Sequence, residues 1–226
     1  MKRIAPILLM ALKELERELQ GSLSGKQVDN IVSKISAFAI YSAIAGTASV
    51  FSGIGSVVAI LTQTGLVWSL YVMINKELGI DMKEETVKFI ASAMLTNLVC
   101  NAGAYLVTCI AAWILSLFPI FAPATFVIGA VLGYVLIYIS AVVYVELLTE
   151  VMKTNGAYQL GQNEATKQMV KNVVEATNVK EIIKEAREEF KKAEERGDLK
   201  NPKCPYCGKP INMGQKFCTR CGGKLK

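Results

Sequence analysis

Four cysteines near the end of the chain carry its most specific chemistry. Cys204-Pro-Tyr-Cys207 and Cys218-Thr-Arg-Cys221 are two C-x-x-C pairs separated by ten residues. Two intervening residues let both sulfurs of a pair reach one ion, and tetrahedral zinc takes four thiolates at about 2.3 Å. Gly208 and Gly222 directly follow the second cysteine of each pair, where the chain must turn sharply. Cys204, Cys207, Cys218 and Cys221 are therefore expected to hold Zn2+. Four thiolates close the coordination shell and leave no position for water or substrate, so the ion is expected to be structural. A disulfide pair is disfavoured by the reducing compartment that thiolate ligands imply, and a redox dithiol by the presence of two matched pairs.

Other chemistry is sparse. The chain of 226 residues contains no histidine, which removes the commonest general base and every histidine-containing nucleophile pair or metal site. It also lacks any Gly-x-x-x-x-Gly-Lys-Ser/Thr loop for nucleotide phosphates. No catalytic or cofactor-binding residue emerges, and a non-enzymatic role is expected. Cys100 and Cys109 lie in an apolar stretch and read as packing residues.

The last 25 or so residues resemble the small zinc-ribbon modules. The formal charge is +6, and from Lys200 onward there are seven basic residues and no acid. A tetrathiolate zinc centre carries about −2, so this excess leaves the tail cationic. Direct nucleic-acid recognition is disfavoured, because the aromatics are limited to Tyr206 and Phe217 and Phe217 is expected in the ribbon core. Contact with anionic lipid and docking to a protein partner remain open.

The elements that would position this module are apolar. Phe89 to Val145 runs 57 residues without a charge, and Ile35 to Asn75 runs 41. One bilayer crossing needs roughly 20 apolar residues. Pro119 and Pro123 interrupt the longer run and Ser52-Gly-Ile-Gly55 the shorter, so each reads as a helical hairpin. The charged 76–88 segment separates them, while the turns inside the runs carry no charge. Inserted as hairpins, they place both termini and residues 76–88 on the cytosolic side, in line with the positive-inside tendency. The expected fold class is an all-α membrane protein. It has two apolar helical hairpins (about four transmembrane helices), flanking amphipathic helices and a small C-terminal zinc ribbon. Boundaries are expected at 1–34, 35–150, 151–199 and 200–226. The localisation expected is a multi-pass membrane with cytosolic termini.

Inside the runs, Gln63, Asn97 and Asn101 read as interhelical hydrogen-bonding groups, the alternative being the lining of a passive channel or carrier. Gly129-Ala-Val-Leu-Gly133 permits close helix approach, within the chain or in a homo-oligomer. The N-terminal stretch is too short and too soon charged for a cleaved signal peptide. Leu8, Leu12, Leu15 and Leu19 instead define an amphipathic helix, on the membrane interface or against the bundle. Asn178 and Glu181 have a form close to a capping box. The stripe over 169–193 (Met169, Val170, Val173, Val174, then Ile182, Ile183, Ala186, Phe190, Ala193) reads as a solvated arm with a modest docking face for an unidentified protein partner.

Ser52-Gly-Ile-Gly-Ser-Val-Val-Ala-Ile-Leu-Thr-Gln63 through Glu77-Leu-Gly-Ile80, followed by the Phe118–Pro123 turn, is similar to the YcjF-like, GTPase-associated hydrophobic domain of unknown function. The resemblance covers roughly residues 36–150. The proline that usually precedes the first turn and the later Thr-x-x-x-Gly signature are absent. It implies a helical hairpin domain working beside membranes or a separate GTPase, and no catalytic residues carry over. The function expected is a membrane-anchored adaptor presenting a cytosolic zinc ribbon to a protein. The alternatives are a soluble or conditionally inserting helical bundle associated with a GTPase, and a passive channel or carrier.

Overall fold

The computed structural model describes residues 6–21, 23–51, 55–117, 124–154, 160–161, 163–212, 215, 217–223 and 225, with side chains for all of these except 46–62 and 101–128. Its described residues form seven helices and no named strand: α1 (Pro6–Glu18), α2 (Gly25–Phe51), α3 (Gly55–Leu78), α4 (Glu84–Leu117), α5 (Ala124–Lys153), α6 (Glu164–Ala176) and α7 (Val179–Glu195). The expected all-helical class is found, and α2 to α5 are the four arms of the two apolar runs. The turns expected at Ser52–Gly55 and Pro119–Pro123 fall largely outside the described residues.

Local sequence accounts for several helix ends. Ser24 and Gln27 form a reciprocal capping box before α2: the Ser24 amide donates to Gln27 Oε1 at 2.9 Å, and the Gln27 amide to Ser24 Oγ at 3.3 Å. At the end of α3, Gly79 takes φ +68° and the Ile80 amide donates to the Asn75 carbonyl at 2.9 Å. That is a Schellman stop, which favours glycine at the left-handed position. Asn163 caps α6 by accepting from the Thr166 amide at 2.9 Å. Asn178 makes no side-chain cap to α7, so the expected box is not formed there.

The first apolar run folds back as expected. Lys34 Nζ lies 3.0 Å from Glu77 Oε1, and the Gln27 amide group donates to the Glu77 carbonyl at 2.9 Å, bringing the start of α2 to the end of α3. Helix α5 is the centre of the molecule and packs against all six other helices. Val135, Ile139, Val142, Val143 and Val145 are each fully buried. Full burial of such a side chain contributes roughly 1.5–3 kcal/mol.

The covering helices change the meaning of the apolar runs. Leu8, Leu12 and Leu15 of α1 are buried, and α1 lies along α5. Of the two places expected for this helix, the structure selects the bundle. The stripe on residues 169–193 is also covered within the chain. Val170 and Val174 are buried on α6, which packs against α4, and Ile182, Ile183, Ala186, Phe190 and Ala193 are buried on α7, which packs against α5. The expected solvated arm with a docking face is thus a structural layer, because α4 and α5 together satisfy the apolar stripe.

One carboxylate joins this layer. Glu185 of α7, only 8% exposed, accepts from the Ile7 amide at 2.8 Å, from the Leu8 amide at 3.4 Å and from the Tyr138 hydroxyl at 2.8 Å. It caps the N-terminus of α1 from 177 residues away. Glu185→Ala removes all three bonds and is expected to destabilise the fold by about 2–3 kcal/mol. Denaturant unfolding reads the loss, and faster amide exchange at Ile7 and Leu8 assigns it to α1.

Two helical segments among the described residues are long and apolar enough to cross a membrane, Gly25–Ala45 and Gly129–Lys153. In the second, 83% of the apolar window is buried inside the protein. The lower part of α5 is therefore covered by helices.

Candidate metal centre

Past α7 the chain forms two matching knuckles. In the first, the Gly208 amide donates to the Cys204 carbonyl at 2.8 Å and the Cys204 amide to the Lys209 carbonyl at 2.8 Å. In the second, Gly222 donates to the Cys218 carbonyl at 2.9 Å and Cys218 to the Gly223 carbonyl at 2.9 Å. Gly208 and Gly222 both sit at φ +71°, the conformation their position demands. An isolated antiparallel bridge between Lys203 and Pro210 ties the first knuckle together.

These knuckles bring all four predicted ligands to one point. The sulfurs of Cys204, Cys207, Cys218 and Cys221 lie within 4.8 Å of one another. The Cys204–Cys221 and Cys207–Cys218 separations are each 3.7 Å. A tetrahedron with 2.3 Å zinc–sulfur bonds has edges of about 3.8 Å, so the cage fits the ion. Cys204 and Cys218 are buried, whereas Cys207 and Cys221 face outward. The amides of Arg220 and Cys221 hold the Cys218 thiol down, at about 6, while burial pushes Cys204 up to about 12. A bound dication favours the thiolate form of all four.

The ribbon rests on the helical bundle. Tyr206, at the tip of the first knuckle, meets Phe38 of α2 edge to face, with ring centroids 5.5 Å apart. The Tyr41 hydroxyl, also on α2, donates to the Leu225 carbonyl. Leu225 and Ile211 are buried. Gly223 makes room for Tyr206, since a Cβ there would lie 2.5 Å from Tyr206 Cδ2. The expected module suspended from an arm is instead docked on residues of the first apolar run. Burial of aromatic surface drives this contact. Phe217, expected in the ribbon core, is 56% exposed, and Tyr206 occupies the packed position. Tyr41 and Phe38 carried no signal in the sequence, because an aromatic in an uncharged run reads as general packing.

The remaining polar candidates separate. Ser42 Oγ lies 2.7 Å from Gln63 Oε1 and donates to the Gly133 carbonyl at 2.8 Å, so Gln63 does tie helices together. Asn97 donates to the Ala93 carbonyl of its own helix at 2.9 Å. The Asn101 and Cys109 side chains lie outside those described, and Cys100 is exposed. Gly133 is used inside the chain, against Ser42.

Two cysteine knuckles closing one tetrahedral cage define a structural zinc module. Residues 203–225 match the zinc-ribbon domain family, and the C-terminal segment of this chain is a zinc ribbon with structural Zn2+. No curated protein and no solved structure matches the chain. Nothing found supports the YcjF-like resemblance over residues 36–150.

Proposed function

We propose that the protein is a non-enzymatic, membrane-anchored interaction protein whose zinc ribbon is presented to a protein partner. The observation that carries this reading is the ribbon itself. Its coordination shell is filled, its exposed surface bears Lys203, Lys209, Arg220 and Phe217, and it is seated on an uncharged helical hairpin. A closed cage performs no chemistry on a substrate, so its use is to hold a surface in shape. The uncharged runs supply the anchor, with both termini in the cytosol. The direct test is fractionation, with recovery in the membrane pellet and release only by detergent as the expected result. A crosslinked pulldown then compares the intact protein with Cys204→Ser/Cys207→Ser. Partners that depend on the ribbon are lost from the variant.

A second reading is a soluble or conditionally inserting helical bundle. It is favoured by the cover that α1, α6 and α7 give to α4 and α5. Size-exclusion chromatography without detergent separates the two. A well-behaved soluble species supports the second reading and removes the constitutive anchor.

A further inference from the structure

The zinc ribbon and the covering helices occupy so much of the hairpins that little length remains for the bilayer. Ser42 ties α2 to Gln63 of α3 and to Gly133 of α5, marking one level across three helices. The ribbon reaches this level, because Tyr41 bonds Leu225 one residue away. Beyond it, α2 continues nine residues to Phe51, about 14 Å at 1.5 Å per residue. Helix α3 begins eight residues before Gln63, about 12 Å, and α5 nine before Gly133, about 14 Å.

Helix α4 is consistent with the same limit. Its Glu85 and Thr86 line one cleft with Leu148, Val151 and Met152 of α5, so the two helices share a base. From that base the 34 residues of α4 rise about 50 Å, while Gly133 stands roughly 30 Å up α5. Along its own axis α4 is thus about 20 Å longer than the stretch of α5 from the base to the tie. A hydrocarbon core is about 30 Å thick.

The uncharged runs, Ile35–Asn75 and Phe89–Val145, extend past the tie on both sides, and the ribbon and the covering helices occupy their lower parts. The docked ribbon, by contrast, exposes Lys203, Lys209, Arg220 and the aromatic Phe217. An aromatic among cations is the composition favoured where protein meets anionic headgroups.

We infer that both hairpins enter a bilayer from one face and stop within it rather than cross it. The Ser42–Gln63–Gly133 tie lies at the headgroup level, and the zinc ribbon rests its cationic surface on anionic lipid. This rests on the anchoring reading above and specifies its depth. The four crossings expected from composition then become two wedges that end inside the bilayer, with both ends on one side. The docked ribbon and the cover over the lower bundle explain the difference.

The test uses the full zinc-loaded chain with phosphatidylcholine vesicles, with and without phosphatidylglycerol. Flotation with the anionic vesicles is expected. Lys209→Gln/Arg220→Gln is expected to lower affinity for the anionic vesicles roughly 25-fold, at about 1 kcal/mol for each cation near the surface. Its binding to pure phosphatidylcholine stays unchanged. Depth is read in a Cys100→Ser/Cys109→Ser background carrying Ser49→Cys or Ser116→Cys. Protection of both from impermeant maleimide in either compartment is expected, as is quenching of attached fluorophores by lipids brominated along their acyl chains. Flotation with modification from the far compartment would overturn the depth while leaving the anchor standing. Failure to float at all would remove both. Equal loss of binding to both vesicle types in the double variant would overturn the ribbon's contact with headgroups.

Discussion

Stripping zinc from this protein is expected to unfold residues 200–226 and release them from α2, while the seven helices persist. The ribbon has almost no regular secondary structure among its described residues, which hold isolated bridge positions such as Lys203–Pro210 and no named strand. So small a core does not hold a fold without its metal. Structural zinc contributes on the order of 10–16 kcal/mol in comparable small modules. Loss of the ion removes the Tyr206–Phe38 edge contact and the Tyr41–Leu225 hydrogen bond together. Far-UV circular dichroism should therefore change little, whereas protease cleavage after Lys200 should become rapid. Cys204→Ser/Cys207→Ser reproduces the chelated state and lowers the zinc content from one ion per chain to none. A ribbon that stayed protected without metal would show that the bundle alone shapes it. Acidification acts in the same direction as chelation, because protons compete with the ion for each thiolate.

Gly133→Val is expected to produce the largest loss of stability from a single helical substitution. A Cβ at this position would lie 2.5 Å from the Ser42 carbonyl oxygen and 2.9 Å from its carbonyl carbon, both backbone atoms that cannot rotate away. The same crossing carries the Ser42 Oγ to Gly133 carbonyl bond at 2.8 Å. Separating α2 from α5 to admit the side chain breaks that bond and opens the α2–α5 interface. Overpacking of this kind costs about 3 kcal/mol or more. Gly65→Ala is the control. Nothing lies within 4 Å of a Cβ there, and alanine in a helix gains roughly 0.5–1 kcal/mol over glycine. Thermal unfolding of both variants in one detergent or lipid condition distinguishes a local clash from a general dislike of change in the apolar helices.

The zinc cage was legible because metal coordination links residue type to spacing with little tolerance. The two hairpins were legible from where Lys34, Lys76, Lys88 and Glu146 interrupt apolar sequence. The covering of those hairpins was not. Periodicity reveals that Ile182, Ile183, Ala186 and Phe190 share a face, but it cannot say whether a partner or α5 lies against that face. The same ambiguity hid the ribbon's seat, since nothing separates Tyr41 and Phe38 from their neighbours until Leu225 and Tyr206 are beside them. Short-range alternatives also intervened. Asn97 reaches its own preceding turn, and Asn163 rather than Asn178 supplies a side-chain cap. Each is a local hydrogen bond that competes with the longer-range one its position invites.

The clasp of Glu185 on Ile7 and Leu8 gives the molecule an order of assembly in time. A ribosome delivers α1 and both hairpins well before it delivers α7. During that interval the inward face of α1 has no carboxylate to close upon, and α5 lacks the cover that α7 later provides. The nascent chain is most apolar along α5 before α7 is made, and later synthesis seals that surface from water.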